Sequence, residues 1–228
     1  MASVKLIVVT GNIGSGKTTT LRQIQTWVEE KGLNDRVTVI FEAVDQWKYY
    51  LKKFYETFRL KDAPRQNEYG FLLQMEILAH YHNVTRRLQQ LQDECEETGI
   101  VHYVFVERSP FDAKEVFVDT NKSLYTPVQY NLLAGFVREY TALWMWNDAT
   151  YIQIVTPKEE CHRRIERRDR GGENNISLEY LARLEEAYAQ LAYRIDMKTL
   201  SVSVRETPEQ VAHSIWKLAS IDERLIGR

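Results

Sequence analysis

Gly11-Asn12-Ile13-Gly14-Ser15-Gly16-Lys17-Thr18 lies between an apolar run, Val4 to Thr10, and a segment whose apolar residues Leu21, Ile24 and Val28 recur at helical spacing. The octapeptide fits G-x-x-x-x-G-K-[ST] at each specified position. Strand, glycine turn and helix start form the context in which that pattern holds a polyphosphate. Glycines let successive backbone N–H groups curl around the anion, and the helix N-terminus adds its positive end. The pattern assigns Gly11, Asn12, Ile13, Gly14, Ser15, Gly16, Lys17, Thr18 and Thr19 to the phosphates of a nucleoside triphosphate such as ATP. Lys17 reaches the β- and γ-phosphates, and the Thr18 hydroxyl sits on Mg²⁺. By itself the loop says that a triphosphate binds, and nothing of what is done with it.

The chain has 228 residues, enough for one well-buried α/β domain over 1–228 and short for two. Its formal charge of -2 provides no field toward nucleic acid or an anionic membrane, and neither is expected as a partner. Cys95 and Cys161 are far apart, without metal-ligand spacing or a disulfide framework, which suits a reducing compartment. No apolar run approaches the ~20 residues of a membrane span. The first strand begins at about Val4, leaving no room for a signal or transit peptide. The expected compartment is the cytoplasm, with the proviso that a leader already cleaved leaves no trace.

Working outward, Thr19 to Lys31 reads as the first helix and Val37 to Phe41 as a second strand. A long helical region follows, interrupted near Lys61-Asp62-Ala63-Pro64, resuming from about Gln66 to Glu97 and stopping at Gly99. Ile100 to Val106 and Tyr151 to Val155 read as strands, with helix from about Pro127 to Trp146 between them. Thr156-Pro157 opens another helix, Ser177 caps one that runs to Ile195, Ser201 to Val204 is a short fifth strand, and Thr207-Pro208 starts the last helix. Strands alternating with helices predict an α/β fold of the P-loop NTPase type: a five-stranded parallel sheet flanked by helices on both faces. Ligands of such a sheet lie at the carboxyl ends of its strands.

Three groups stand at those ends. The second strand runs into Glu42-Ala43-Val44-Asp45-Gln46-Trp47. Glu42 faces the crevice of the glycine loop and suits the base that takes a proton from a hydroxyl attacking a γ-phosphate; otherwise it is a solvated loop residue. Trp47 offers an apolar wall. The third strand ends in Glu107-Arg108-Ser109-Pro110. Glu107 lies where a carboxylate holds Mg²⁺, and Arg108 either binds the acceptor's oxygens or keeps Glu42 ionised, unless the two form a structural ion pair. The third group is His162 to Gly172. Arg164 and Arg168 share a helix face, and Arg170 leads into glycines able to hinge a lid over about 162–175 that carries arginines onto the transferring phosphoryl group. A solvated charged face or a small nucleic-acid patch are the alternatives. Interspersed Glu166 and Asp169, and the lack of interleaved aromatics, weaken the second.

Together and in this order, these motifs resemble the deoxyribonucleoside kinase family from about Val4 to Leu191. The resemblance implies ATP- and Mg²⁺-dependent phosphorylation of a nucleoside 5′-hydroxyl for nucleotide salvage, by a homodimer. It implies Glu42 as the general base, although the family's Glu-Pro-Val is here Glu-Ala-Val. Lys17, Arg108, Arg164, Arg168 and Arg170 take the catalytic cationic roles, and Thr18 and Glu107 the metal. Trp47, Tyr55, Gln74, Ile77, Tyr81, Arg108, Ala113, Phe117 and Glu173 take the nucleoside. Gln74 matches the glutamine that reads the base edge, Phe117 the ring that sandwiches the base, Tyr55 the tyrosine on the 3′-hydroxyl, and Glu173 the lid glutamate on the sugar. Leu73 replaces the usual phenylalanine.

Relatives that accept deoxycytidine and purines carry an arginine–aspartate pair deep in the pocket, whereas relatives favouring thymidine carry methionine and alanine. This chain aligns Tyr81 and Ala113 there, implying a pyrimidine preference with thymidine first and deoxycytidine second. Three other readings are weighed, one of them a relative that kept the fold and lost activity, which the intact glycine loop, Lys17 and Glu42 argue against. A thymidylate kinase requires an arginine rather than a base after the second strand, which Phe41-Glu42-Ala43 does not supply. A GTPase-type switch requires Asn-Lys-x-Asp, and Asn121-Lys122-Ser123-Leu124 lacks the aspartate.

Overall fold

Five strands, β1 (Val4–Thr10), β2 (Val37–Ile40), β3 (His102–Glu107), β4 (Thr150–Val155) and β5 (Lys198–Ser201), form one parallel sheet in the order β2-β3-β1-β4-β5. The computed structural model describes residues 3–60, 62–168 and 170–227. Lys61 of the expected helix break and Asp169 of the expected lid lie outside the described residues. Along β1 the side chains alternate between two cores, Leu6 and Val8 in one, Ile7 and Val9 in the other, the period-two pattern of a strand covered on both faces. One face packs on α1 (Lys17–Glu30) and α8 (Pro208–Leu218), where Trp216 stacks on Phe105 at 5.8 Å. The other carries α2 (Val44–Leu60), α3 (Ala63–Thr98), α4 (Pro127–Thr141), α5 (Trp144–Asn147), α6 (Lys158–Arg168) and α7 (Leu178–Arg194), with Leu88, Leu91, Leu184 and Tyr188 in that core.

Local chemistry sets most boundaries. Asp62 caps α3 by accepting from Arg65 N at 3.2 Å, and Gly99 ends it at φ 73° with its N–H on Cys95 O. Thr126 and Thr207 start α4 and α8 with reciprocal capping boxes, each with proline in the first turn, and Ser177 caps α7.

Several boundaries depart from expectation. Helix α1 begins at Lys17, so the motif's lysine and threonines lie in its first turn. Strand β3 starts at His102, leaving Ile100 exposed. The expected helix from Pro127 to Trp146 breaks at Leu143, whose backbone is extended at ψ 128°. Downstream, Trp146 is fully buried and donates from Nε1 to Thr85 Oγ1 at 3.1 Å, a long-range contact that local spacing does not report. Strand β5 lies three residues earlier than expected: Val202 is buried, but Ser203 N turns to Glu206 and Val204 is exposed. Asp112–Val118, read from sequence as no regular element, is a π-helical segment directly after β3.

Candidate active site

At the carboxyl ends of β1, β2 and β3 the chain encloses a cleft of about 970 Å³. The glycine loop forms its floor. Gly11 (φ 137°) and Gly14 (φ 80°) have no room for a side chain, since a Cβ would lie 2.4 Å from Ile154 O and 2.5 Å from Cys161 O respectively. Ile13 to Thr19 line the cleft, whereas Gly11 and Asn12 do not. Asn12 braces the loop from behind, donating to Leu181 O and accepting from Ile13 N, both at 2.9 Å.

Lys17 is buried, and its Nζ donates to Gly11 O at 3.0 Å and Asn12 O at 2.8 Å. Burial first, then the Arg108 charge, push its pKa down to about 7. The Thr18 hydroxyl donates to Glu107 Oε1 at 2.7 Å. Burial and the neighbouring Glu42 charge raise the Glu107 carboxyl. The buried Glu107 carboxylate beside the Thr18 hydroxyl offers oxygen donors of the kind a hard divalent cation takes.

Glu42 follows β2, and Arg108 Nη1 donates to its Oε2 across the strand ends. Burial pulls the Glu42 carboxyl up, but the Arg108 and Lys17 charges outweigh it and leave the group below its ordinary value. Of the roles weighed for Arg108, the ion pair with Glu42 is the one formed. Its guanidinium also donates from Nε to Tyr188 OH at 3.2 Å, reaches Gly11 O at 3.4 Å, and lies 5.0 Å over the Phe117 ring. The backbone of Arg108 is left-handed at φ 63°, an uncommon conformation for a non-glycine residue that the surrounding contacts hold in place.

Trp47, Tyr55, Gln74, Ile77, Tyr81, Ala113 and Phe117 also line the cleft, with Leu73. They come from α2, α3 and the π-helical segment. Gly70 lets α3 approach α2, since a Cβ there would lie 2.9 Å from the Phe54 ring. Gln74 is buried, yet its Oε1 has no partner among the described residues, an acceptor left for a ligand to satisfy. Trp47 packs edge-on to His80 at 5.4 Å.

The expected lid arginines also reach this cleft. Arg164 donates from Nη1 to Ser15 O at 3.2 Å and from Nε to Glu160 at 2.8 Å. Glu173 is buried and takes Arg168 at 2.8 Å and Arg170 at 3.7 Å. Gly172 sits on α2, where a Cβ would meet Lys52 O at 2.8 Å. Sequence reading missed Asn121 and Tyr180, which line the cleft and hydrogen-bond each other at 2.9 Å. It also missed Tyr188 and Asp112. The Ser-x-x-Asp spacing of a cap was the available signal for Asp112; Tyr188 falls in the apolar stripe of α7 and carries none.

A family model described as deoxynucleoside kinase matches residues 7–220. The chain belongs to the deoxynucleoside kinase family. This kinase is 33% identical over 199 residues to the thymidine kinase of Ictalurid herpesvirus 1 (strain Auburn), spanning 86% of this chain and 78% of that one. It is 24% identical over 211 residues to the putative kinase protein 143R of Invertebrate iridescent virus 6, covering 86% and 87%. Among solved structures, deoxyadenosine kinase from M. mycoides, with products dCMP and dCDP bound, superposes with a TM-score of 0.66. That match covers 94% of this chain and 99% of the other at 19% identity, a likeness of fold. The kinase is thus a nucleoside-phosphorylating phosphotransferase. No described helix is long and apolar enough to cross a membrane.

Proposed function

We propose that this kinase transfers the γ-phosphoryl group of ATP to the 5′-hydroxyl of a pyrimidine deoxyribonucleoside, thymidine ahead of deoxycytidine. The observation that carries the reading is that the Glu42–Arg108 pair lines one cleft together with the glycine loop and with buried Tyr81 and Ala113. In this reading Glu42 takes the 5′-hydroxyl proton, the 5′-oxygen attacks the γ-phosphorus, and ADP leaves with the former bridging oxygen. Lys17, Arg164, Arg168 and Arg170 offset the charge spread over the phosphoryl oxygens. Thr18 and Glu107 would hold Mg²⁺, which when bound neutralises phosphate charge.

Gln74 reads the base edge through its free carbonyl oxygen and its amide, Trp47 and Phe117 flank the base, and Tyr55 with Glu173 takes the sugar. Ala113 leaves space for the thymine 5-methyl, while Tyr81, 1% exposed, closes the pocket where a purine would extend. A homodimer fits one further feature. Val128, Leu132 and Gly135 share a face of α4, the first two exposed, and nothing lies within 4 Å of a Cβ placed on Gly135.

The test is a coupled ATP-consumption assay over the four natural deoxynucleosides and thymidine monophosphate. Thymidine is expected to give the highest kcat/KM, deoxycytidine the next, and thymidine monophosphate none. A purine deoxynucleoside at the top contradicts the pyrimidine reading.

A further inference from the structure

Arg108 faces three carboxylates, Glu42, Glu107 and Asp112, within one buried region. A guanidinium among several acceptors, on a long side chain, has more than one favourable arrangement. What selects among them is the partner of its remaining N–H groups. Here Nε donates to the Tyr188 hydroxyl at 3.2 Å while Nη1 donates to Glu42. The Tyr188 hydroxyl accepts that bond, so its own proton points elsewhere, and the acceptors facing it are Asp112 and Thr10. Thr10 Oγ1 in turn donates to Asp112 Oδ1. Both routes therefore end on Asp112. That carboxylate is fully buried and also takes Ser109 N at 2.9 Å and Ser109 Oγ at 2.6 Å, so its position is over-determined.

We infer that Tyr188 and Asp112 are positioning residues for the reaction: through the Arg108 Nε–H they turn the guanidinium toward Glu42 and away from Glu107. The inference rests on the reading of Glu42 as the base. Tyr188 lies on α7 and Asp112 opens the π-helical segment, so two elements away from β2 set the orientation of the guanidinium that holds Glu42. The same arrangement keeps Glu107 free of Arg108 and bonded to Thr18. An isolated capping role for Asp112 accounts for its bonds to Ser109 but not for Tyr188 carrying the Arg108 Nε–H.

The charged and titratable groups facing Glu42 are Arg108 and Glu107 from the end of β3, Lys17 from α1, and His80 and Tyr81 from α3. Of these Arg108 contributes most to holding the Glu42 carboxyl down. Loosening Arg108 must therefore let the Glu42 pKa rise, and the acid limb of kcat/KM moves to higher pH.

The experiment measures Tyr188→Phe and Asp112→Asn beside Glu42→Gln, with full pH profiles, nucleoside KM and Tm. Tyr188→Phe removes one hydroxyl and keeps the ring, and is expected to lower kcat roughly tenfold through misplacement of a reacting group, with nucleoside KM within about twofold. Asp112→Asn is expected to act in the same direction, and both variants to move the acid limb upward. A lowered Tm with wild-type kcat and an unmoved limb, in whichever variant folds, overturns the inference and leaves the two residues a structural role. Near-wild-type turnover of Glu42→Gln overturns the base reading and this inference together. An inactive Glu42→Gln beside an unmoved limb overturns this inference alone.

Discussion

Arg108 Nη1 and Glu42 Oε2 form an ion pair that ties the end of β3 to the end of β2, with side chains only 9% and 13% exposed. Breaking such a pair from one side leaves the other charge buried and uncompensated. The pair also fixes a chemical state, because a carboxylate held below its ordinary pKa is ionised, and so able to take a proton, through the neutral range.

Gly14 answers for the loop. Gly14→Ala forces a Cβ to within 2.5 Å of Cys161 O at a φ of 80°, where the opposing atom is backbone and cannot swing aside. The expected result is a loss of about 1–3 kcal/mol of stability together with loss of ATP binding, read by thermal melts and calorimetry. Gly99→Ala is the control: its φ is 73°, but nothing lies within 4 Å, so it is expected to cost about 1 kcal/mol and leave ATP binding intact.

Lys17 provides a proton-linkage signature. With its pKa at about 7 in the free site, less than half of it is protonated at pH 7.5. Phosphate bound beside it favours the charged form and raises that pKa, so nucleotide binding is expected to take up a proton. Calorimetry at pH 7.5 in buffers of different ionisation enthalpy measures this. The uptake is expected to shrink toward pH 6, where more of free Lys17 is protonated, and Lys17→Arg is expected to lose this contribution.

Much of this arrangement was legible in the chain where function is carried by contiguous residues. The glycine loop, Glu42 after β2 and Glu107-Arg108 at the end of β3 each announce themselves within a few positions, because a strand end fixes where the next side chain stands. Thr126, Ser177 and Thr207 mark helix starts for the same local reason. What was illegible depends on distant partners. Arg108 and Tyr188 are 80 positions apart, and Trp146 and Thr85 are 61 apart. A tyrosine in an apolar helical stripe gives no sign that its hydroxyl faces an arginine, and the shift of β5 follows from which valine the core accepts. Gln74 sits between: only the family resemblance marked it, and only the packed structure exposes its unpartnered oxygen.

Ala113 offers a specificity switch. It is 3% exposed and lines the cleft, so Ala113→Asp puts a carboxylate against the base. Cytosine presents an N4 amino donor to it, whereas thymine presents an O4 acceptor that it repels. The ratio of kcat/KM for deoxycytidine over thymidine is expected to rise at least tenfold, about 1.4 kcal/mol of discrimination, in line with one good polar contact to a base edge. Competition between the two nucleosides in one reaction mixture measures it, and an unchanged ratio removes Ala113 from the base pocket.

The base assignment rests on Glu42→Gln, which keeps the shape of the side chain and removes its ability to take a proton. Its single-turnover rate, with ATP and thymidine saturating and thymidine affinity measured alongside, bears on that assignment most directly. Near-wild-type thymidine affinity is expected with a rate lower by about two orders of magnitude or more, the contribution of a positioned general base; a rate near wild type would contradict the role of Glu42 as that base.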